Sequence, residues 1–165
     1  MSKKSEKLNL GCEKDIKEGF INVDFEDTKD IDVNWNLEKI PYPFKDKQFK
    51  VVLMYNILEH LSDPYAVMKE IYRITKPGAK IHLYVPHFSS DKAWGDIQHK
   101  KGYSSEAFTA PDMSKMYSVK KLKIGFSRYR IITPIFANLF VRAYEKLFAY
   151  IFPASHLDVL LIRKG

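Results

Sequence analysis

Between Val51 and Val85 the sequence spells out one structural unit in full, and that unit limits what the chain can fold into. Val51-Val52-Leu53-Met54 is an uninterrupted apolar run too short for a helix, the pattern of a strand covered on both faces. Asp63-Pro64 then supplies an N-cap and a proline at the first helical position. Val67, Ile71 and Ile74 recur at helical spacing until Pro77-Gly78 ends the run. From Lys80 to Val85, the apolar Ile81, Leu83 and Val85 alternate with Lys80, His82 and Tyr84, the period of a second strand. Strand, helix and strand in succession join as a right-handed parallel crossover. The chain is therefore expected to be an α/β protein built on a parallel sheet.

The remainder is read around this unit. Leu8-Asn9-Leu10 is a short strand stopped by Gly11, and Ile21-Asn22-Val23-Asp24 is another that ends on a carboxylate. Residues 86–118 mix Pro86, Ser89, Ser90, Gly95, Gly102 and Pro111 with polar residues and hold no sustained period, so they read as a long functional loop region. Lys120 to Phe126 and His156 to Arg163 read as strands that close the sheet edge. Between them, Pro134 to Phe152 sets Phe136, Leu139, Phe140, Ala143, Leu147, Phe148 and Ile151 on one helical face, opposite Asn138, Arg142, Glu145 and Lys146. That face is expected to pack on the sheet, with a homodimer contact or an interfacial membrane helix as alternatives. The charges near its middle argue against a membrane span.

Length and charge narrow the function. With 165 residues the chain holds one core and one domain, and 45% apolar with 28% charged residues excludes a disordered tail or fibrous repeat. The net charge is +7. Residues 1–85 carry 14 basic and 14 acidic side chains against 13 and 6 in 86–165, so the whole excess lies in the second half and suggests an anionic partner there. The lone Cys12 forms no internal disulfide, and MSKKSEK runs into the first strand without an apolar stretch, so a reducing, cytoplasmic setting is expected. The paired glycines and lysine of a phosphate-binding loop, the three-glycine dinucleotide turn and a serine or cysteine nucleophile motif are all missing.

Five stretches, in order, carry a resemblance. Leu8-Asn9-Leu10-Gly11-Cys12-Glu13 with Gly19-Phe20-Ile21-Asn22-Val23-Asp24, Ile40-Pro41-Tyr42-Pro43-Phe44 with Asp46, Tyr55-Asn56-Ile57-Leu58-Glu59-His60-Leu61, and Glu70-Ile71-Tyr72-Arg73-Ile74-Thr75-Lys76-Pro77-Gly78 resemble the small class I S-adenosylmethionine-dependent methyltransferases of the methyltransferase type 11 group. The resemblance implies a Rossmann-like class I methyltransferase fold, with a mostly parallel seven-stranded sheet flanked by helices and S-adenosyl-L-methionine as cofactor. It divides the single domain 1–165 into a cofactor-binding half at 8–86, a substrate loop region at 87–118, and C-terminal strands with an aromatic helix at 119–165.

The resemblance also assigns the cofactor contacts: Gly11 at the first strand end, Asp24 on the ribose hydroxyls, Asn36 and Leu37 at the adenine, and Asn56 near the methionine portion. An ordinary N-cap is the plainer reading of Asn56. The pattern departs from the family at Glu13, where a second glycine is usual, and at Lys50, where aspartate is usual. Only ten residues separate Leu10 from Ile21, so the first crossover helix is curtailed. The pocket is then expected to be open unless a partner chain or the 86–118 segment covers it.

The acceptor side is expected after the strand Lys80 to Val85, where Pro86-His87 and Asp96-Ile97-Gln98-His99 resemble patterns of related small methyltransferases. His87 and His99 are the candidate groups that place or deprotonate the acceptor. The spacing of His87, Asp96 and His99 is no recognised ligand frame, so no metal is expected. Methyl transfer to an unidentified acceptor follows, either anionic (RNA or a small metabolite) or lipid-like. Lys120, Lys121, Lys123, Arg128 and Arg130 are the candidate surface for a nucleic acid. A noncatalytic binding or interaction protein on the same fold is the alternative.

Overall fold

The computed structural model describes residues 5–26, 29–127 and 132–165. Its strands are β1 (Lys7–Leu10), β2 (Ile21–Asp24), β3 (Val33–Asn34), β4 (Phe49–Tyr55), β5 (Thr75–Pro86), β6 (Tyr117–Gly125) and β7 (His156–Arg163). They form one sheet in the order β3-β2-β1-β4-β5-β7-β6. The first five are parallel, while β7 runs antiparallel to both β5 and β6. This is the expected mostly parallel seven-stranded Rossmann-like sheet. The chain leaves β1 toward β2 and β3, then returns to place β4 on the other side of β1. Strand order thus reverses between β1 and β4, where ligands collect in open α/β sheets.

The central crossover forms as its sequence dictates. Helix α1 (Pro64–Ile74) starts on Asp63, whose side chain accepts the Ala66 N–H, and buries Val67, Met68, Ile71 and Ile74. It ends four residues before Gly78, because Thr75 already pairs with Phe49 of β4. The Pro77-Gly78 signal lies inside an irregularity of β5, and regular pairing resumes with Lys80 beside Val51.

No helix links β1 to β2. The segment 11–20 is held instead by two buried asparagines: Asn9 Nδ2 donates to Asn22 Oδ1 (3.0 Å) and to the Asp15 carbonyl (2.9 Å), and Lys17 N–H donates to Asn22 Oδ1 (2.9 Å). At the start of β4, Lys50 pairs with Glu6 (2.6 Å), which Lys76 also reaches. A cation at position 50 thus suits this chain's own neighbour.

Two expectations are corrected. The 86–118 segment is not a continuous loop: it contains α2 (Asp91–Gly95), α3 (Glu106–Thr109) and α4 (Pro111–Met116). Each is too short to show a period, although Ser90 and Pro111 are recognisable start signals. The aromatic helix is two, α5 (Ile132–Leu139) and α6 (Val141–Leu147), broken at Phe140. Its polar side faces the protein. Asn138 takes the Ile124 N–H and donates to the Ile124 carbonyl, covering part of the edge strand β6, and Glu145 accepts from Ser105. Leu139, Leu147 and Ile151 are exposed in consequence. Among the described residues no helix is long and apolar enough to cross a membrane.

Candidate functional site

The strand ends at the reversal point define the site. Gly11 follows β1 with φ +64°, and a Cβ there would lie 2.6 Å from Ile57 Cγ1. Both the left-handed backbone and the close approach therefore require glycine. Glu13 is also left-handed (φ +42°), the conformation that the family's glycine would supply. Its side chain is exposed, while its N–H donates to Asp24 Oδ2 at 2.8 Å.

Asp24, at the end of β2, is 3% exposed. Its other oxygen accepts the N–H groups of Phe25 (2.8 Å) and Glu26 (3.2 Å). A carboxylate has about four acceptor positions, so three main-chain donors leave room for about one ligand hydroxyl rather than two. Asp24 is thus both a loop anchor and a wall of the cleft.

Leu37 is buried and Asn36 exposed beside it. The Tyr42 hydroxyl donates to the Leu37 carbonyl (3.1 Å). Tyr42 N–H donates to Glu70 (2.6 Å), and Arg73 bonds Glu70, Asp46 and the carbonyls of Tyr42 and Phe44. The Ile40–Phe44 loop therefore ties the wall of the site to helix α1. Gly11, Glu13, Asp24, Trp35, Asn36, Leu37, Ile57 and His60 share one cavity of about 250 Å³.

A second cavity, about 280 Å³, is lined by Asn9, Gly11, Glu13, Asp15, Tyr55 and Asn56. Asn56 follows β4 with φ +51° and donates its N–H to Tyr84. Asparagine tolerates that left-handed conformation better than most residues. The N-cap alternative is not met, since the following 3₁₀ turn (Leu58–His60) has no side-chain cap. Each cavity is a little smaller than an ordinary small-molecule site of about 300–1,000 Å³, and the two share Gly11 and Glu13 as walls. Cys12 beneath them is buried, and burial with the Asp24 charge pushes its thiol up to about 11, so it packs as an inert group.

A third cavity shares Asn56 with the second and is lined also by Glu59, Tyr84, Pro86, Lys92, His99 and His156. His99 stands where an acceptor-side group was expected. His87 does not. Its ring is fully buried, with Nδ1 2.8 Å from Ser89 Oγ and Nε2 3.3 Å from Glu145 Oε1 beneath α6. Burial pushes the Glu145 carboxyl up, but hydrogen bonds from His87 and Ser105 outweigh it and hold its pKa below the usual value. His87 thus ties α6 to the end of β5 rather than facing the open end.

Two groups escaped sequence reasoning. His156 stacks on Tyr84 at 4.3 Å, and burial lowers its pKa. It reaches the cleft only because β7 is antiparallel, which brings that strand's first residue to the carboxyl ends of the others. Glu59 is 1% exposed, and burial pushes its carboxyl up to about 7. Its place in the turn after β4 was visible, but its depth was not. Of the basic surface, Lys120, Lys121 and Lys123 are exposed on β6 with Lys121 paired to Asp158; Arg128 and Arg130 lie outside the described residues.

The fold is that of the class I S-adenosylmethionine-dependent methyltransferases. A methyltransferase-domain family profile matches residues 12–83. Among solved structures, an S-adenosylmethionine-dependent methyltransferase from Archaeoglobus fulgidus aligns at TM-score 0.68 with 16% identity, covering 94% of this chain and 85% of the other. The N-methyltransferase NodS from Bradyrhizobium japonicum, in complex with S-adenosylhomocysteine, aligns at 0.63 with 10% identity, covering 98% and 79%. A complex containing the Haloferax volcanii Trm112 methyltransferase activator matches at 0.60 with 17% identity, covering 100% and 85%. At these identities the similarity is one of fold. No curated protein gives a significant match.

Proposed function

We propose that the protein transfers the methyl group of S-adenosylmethionine to an acceptor held beside Asn56, His99 and His156. The observation that carries this reading is that three neighbouring cavities share walls along the strand ends. Gly11 and Glu13 border both the first and the second cavity and Asn56 both the second and the third, past the ends of β1, β2, β4 and β5. Leu37 and Asn36 bound the adenine, Asp24 takes a ribose hydroxyl on its remaining acceptor position, and Gly11 and Asn56 border the methionine portion. The cofactor supplies the reactive methyl; the protein holds the acceptor in line and excludes water.

An acceptor bearing a proton needs a base. His156, whose pKa burial lowers, and His99 border the space where that proton leaves. His87 is assigned to positioning α6. The basic second half supports an anionic acceptor, RNA or a small metabolite, in a cytoplasmic setting; the exposed Leu139, Leu147 and Ile151 support a homodimer contact or a lipid-like acceptor at α5–α6.

Release of S-adenosylhomocysteine, measured against RNA, anionic metabolites and lipids in turn, tests the proposal. Turnover is expected with one class, and His156→Ala is expected to lower it roughly a hundredfold while the cofactor still binds. A chain that binds the cofactor yet consumes none with any class would be the noncatalytic binding protein instead.

A further inference from the structure

We infer that Glu59, His60 and His99 form a binding site for one divalent transition-metal ion of zinc-like ligand preference. One donor atom from each residue lies within 4.8 Å of the others. Glu59 is almost wholly buried, and its Oε2 makes no hydrogen bond; neither does the buried Nδ1 of His99. Buried polar atoms in native folds nearly always find partners. Two that lack one, in the same small cluster, are both satisfied by a single cation.

The supports around the cluster are those a metal site uses. A ligating histidine usually offers its second ring nitrogen to a carboxylate or a main-chain carbonyl, which fixes the ring. His99 Nε2 lies 3.8 Å from Asp96 Oδ2, too far for a hydrogen bond as it stands but on the side away from the unpartnered Nδ1. The two imidazoles meet edge to face at 4.6 Å. The segment bearing His99 is tied to the turn bearing Glu59 by the Lys100 N–H on the Glu59 carbonyl (2.8 Å) and the Tyr103 hydroxyl on the Leu58 carbonyl (2.9 Å).

Ligand type selects the ion. Two imidazole nitrogens and one carboxylate oxygen match the three-ligand zinc sites that keep a fourth position open, whereas magnesium and calcium prefer oxygen alone. Bonds of about 2.1 Å in a tetrahedron place donors about 3.4 Å apart, so side-chain rotations closing the cluster by about an ångström complete the shell.

Glu59 and His99 line the acceptor-side cavity and His60 lines the cofactor-side one. The open position therefore falls where an acceptor oxygen would bind. That last step rests on the methyl-transfer reading; the metal site does not.

The test uses the full chain stripped with a chelator. Cobalt(II) titration is followed by its visible absorption bands, zinc affinity is measured by competition, and the bound metal is counted by elemental analysis. One ion per chain is expected, at micromolar affinity or tighter. His99→Ala and Glu59→Gln should each weaken it at least 100-fold, and Asp96→Asn about tenfold. Circular dichroism checks that each variant folds, and if Glu59→Gln does not, the loop variant His99→Ala carries the test. Substoichiometric binding by the wild type, or variants that bind as tightly, would overturn the inference. Zinc bound by a chain that takes no S-adenosylmethionine would remove the methyl-transfer reading and leave the site standing.

Discussion

Gly11→Ala probes the point where the fold and the cleft meet. The added methyl meets two separate penalties. The backbone sits at φ +64°, which costs a non-glycine residue about 1–2 kcal/mol. The new Cβ would also lie 2.6 Å from Ile57 Cγ1, 2.7 Å from Cδ1 and 3.0 Å from Cβ. Rotation can move the outer atoms of Ile57, but its Cβ is fixed by the turn after β4, so part of the overpacking penalty of about 1–3 kcal/mol persists. The sum is a loss of about 2–4 kcal/mol, readable in urea denaturation followed by circular dichroism. Adding Ile57→Ala separates the two penalties. A double-mutant cycle should recover about 1–2 kcal/mol of coupling, the steric share, and leave the backbone share in place. Because Gly11 and Ile57 are walls of the same cavity, cofactor affinity should fall with stability. A Gly11→Ala protein within about 0.5 kcal/mol of wild type would refute the reasoning.

Three further outcomes follow from neighbouring contacts. Glu13→Gly relieves a left-handed glutamate and should stabilise the fold by about 1 kcal/mol with cofactor affinity equal or tighter; clear weakening in calorimetry would make Glu13 a cofactor contact. Arg73→Ala removes the guanidinium from the buried Glu70 and from two carbonyls of the Ile40–Phe44 loop. Since Arg73 is 31% exposed, the expected loss is about 2 kcal/mol, below the usual 3–5 for a fully buried pair, and a denaturation midpoint like wild type would count against the tether. Glu145 has a folded pKa below its unfolded one, so its contribution is present above the ordinary glutamate range and is lost as pH falls through the folded value. Denaturation midpoints between pH 7 and pH 3 should therefore fall less steeply for Glu145→Gln than for wild type, and parallel profiles would dismiss the stabilising hydrogen bonds to Glu145 from His87 and Ser105.

The parts of the fold legible in the sequence are those fixed by local period and punctuation. The unit β4–α1–β5 carries a buried apolar run, a proline-started helix and an alternating strand, and β7 spans the His156 to Arg163 read from its largely apolar run. Val33–Asn34 is too short to leave a pattern. The α5–α6 pair misleads because its polar side finds partners inside: Ser105, His87 and the main chain of Ile124 wait beneath it, and a helical wheel records polarity without recording what the polar groups will meet. Within the site, Gly11, Asp24, Asn36, Leu37 and Asn56 line neighbouring cavities because strand ends are local features. His87 leaves the cleft and His156 enters it for a topological reason. One lies under a helix more than fifty residues later in the chain, and the other is delivered by an antiparallel strand.

Methyl transfer by this protein stands most directly on whether the cavities that share Gly11 hold S-adenosylmethionine. Titration calorimetry of the full chain with S-adenosylmethionine and S-adenosylhomocysteine reads this without knowledge of the acceptor. One molecule of each should bind per chain. Asp24→Asn, which replaces an acceptor of three main-chain N–H groups, should weaken binding by about 2–3 kcal/mol, the worth of a hydrogen bond to a charged group together with a loosened loop. No heat at millimolar ligand from a folded wild-type protein, or an Asp24→Asn chain that binds as tightly, would contradict it.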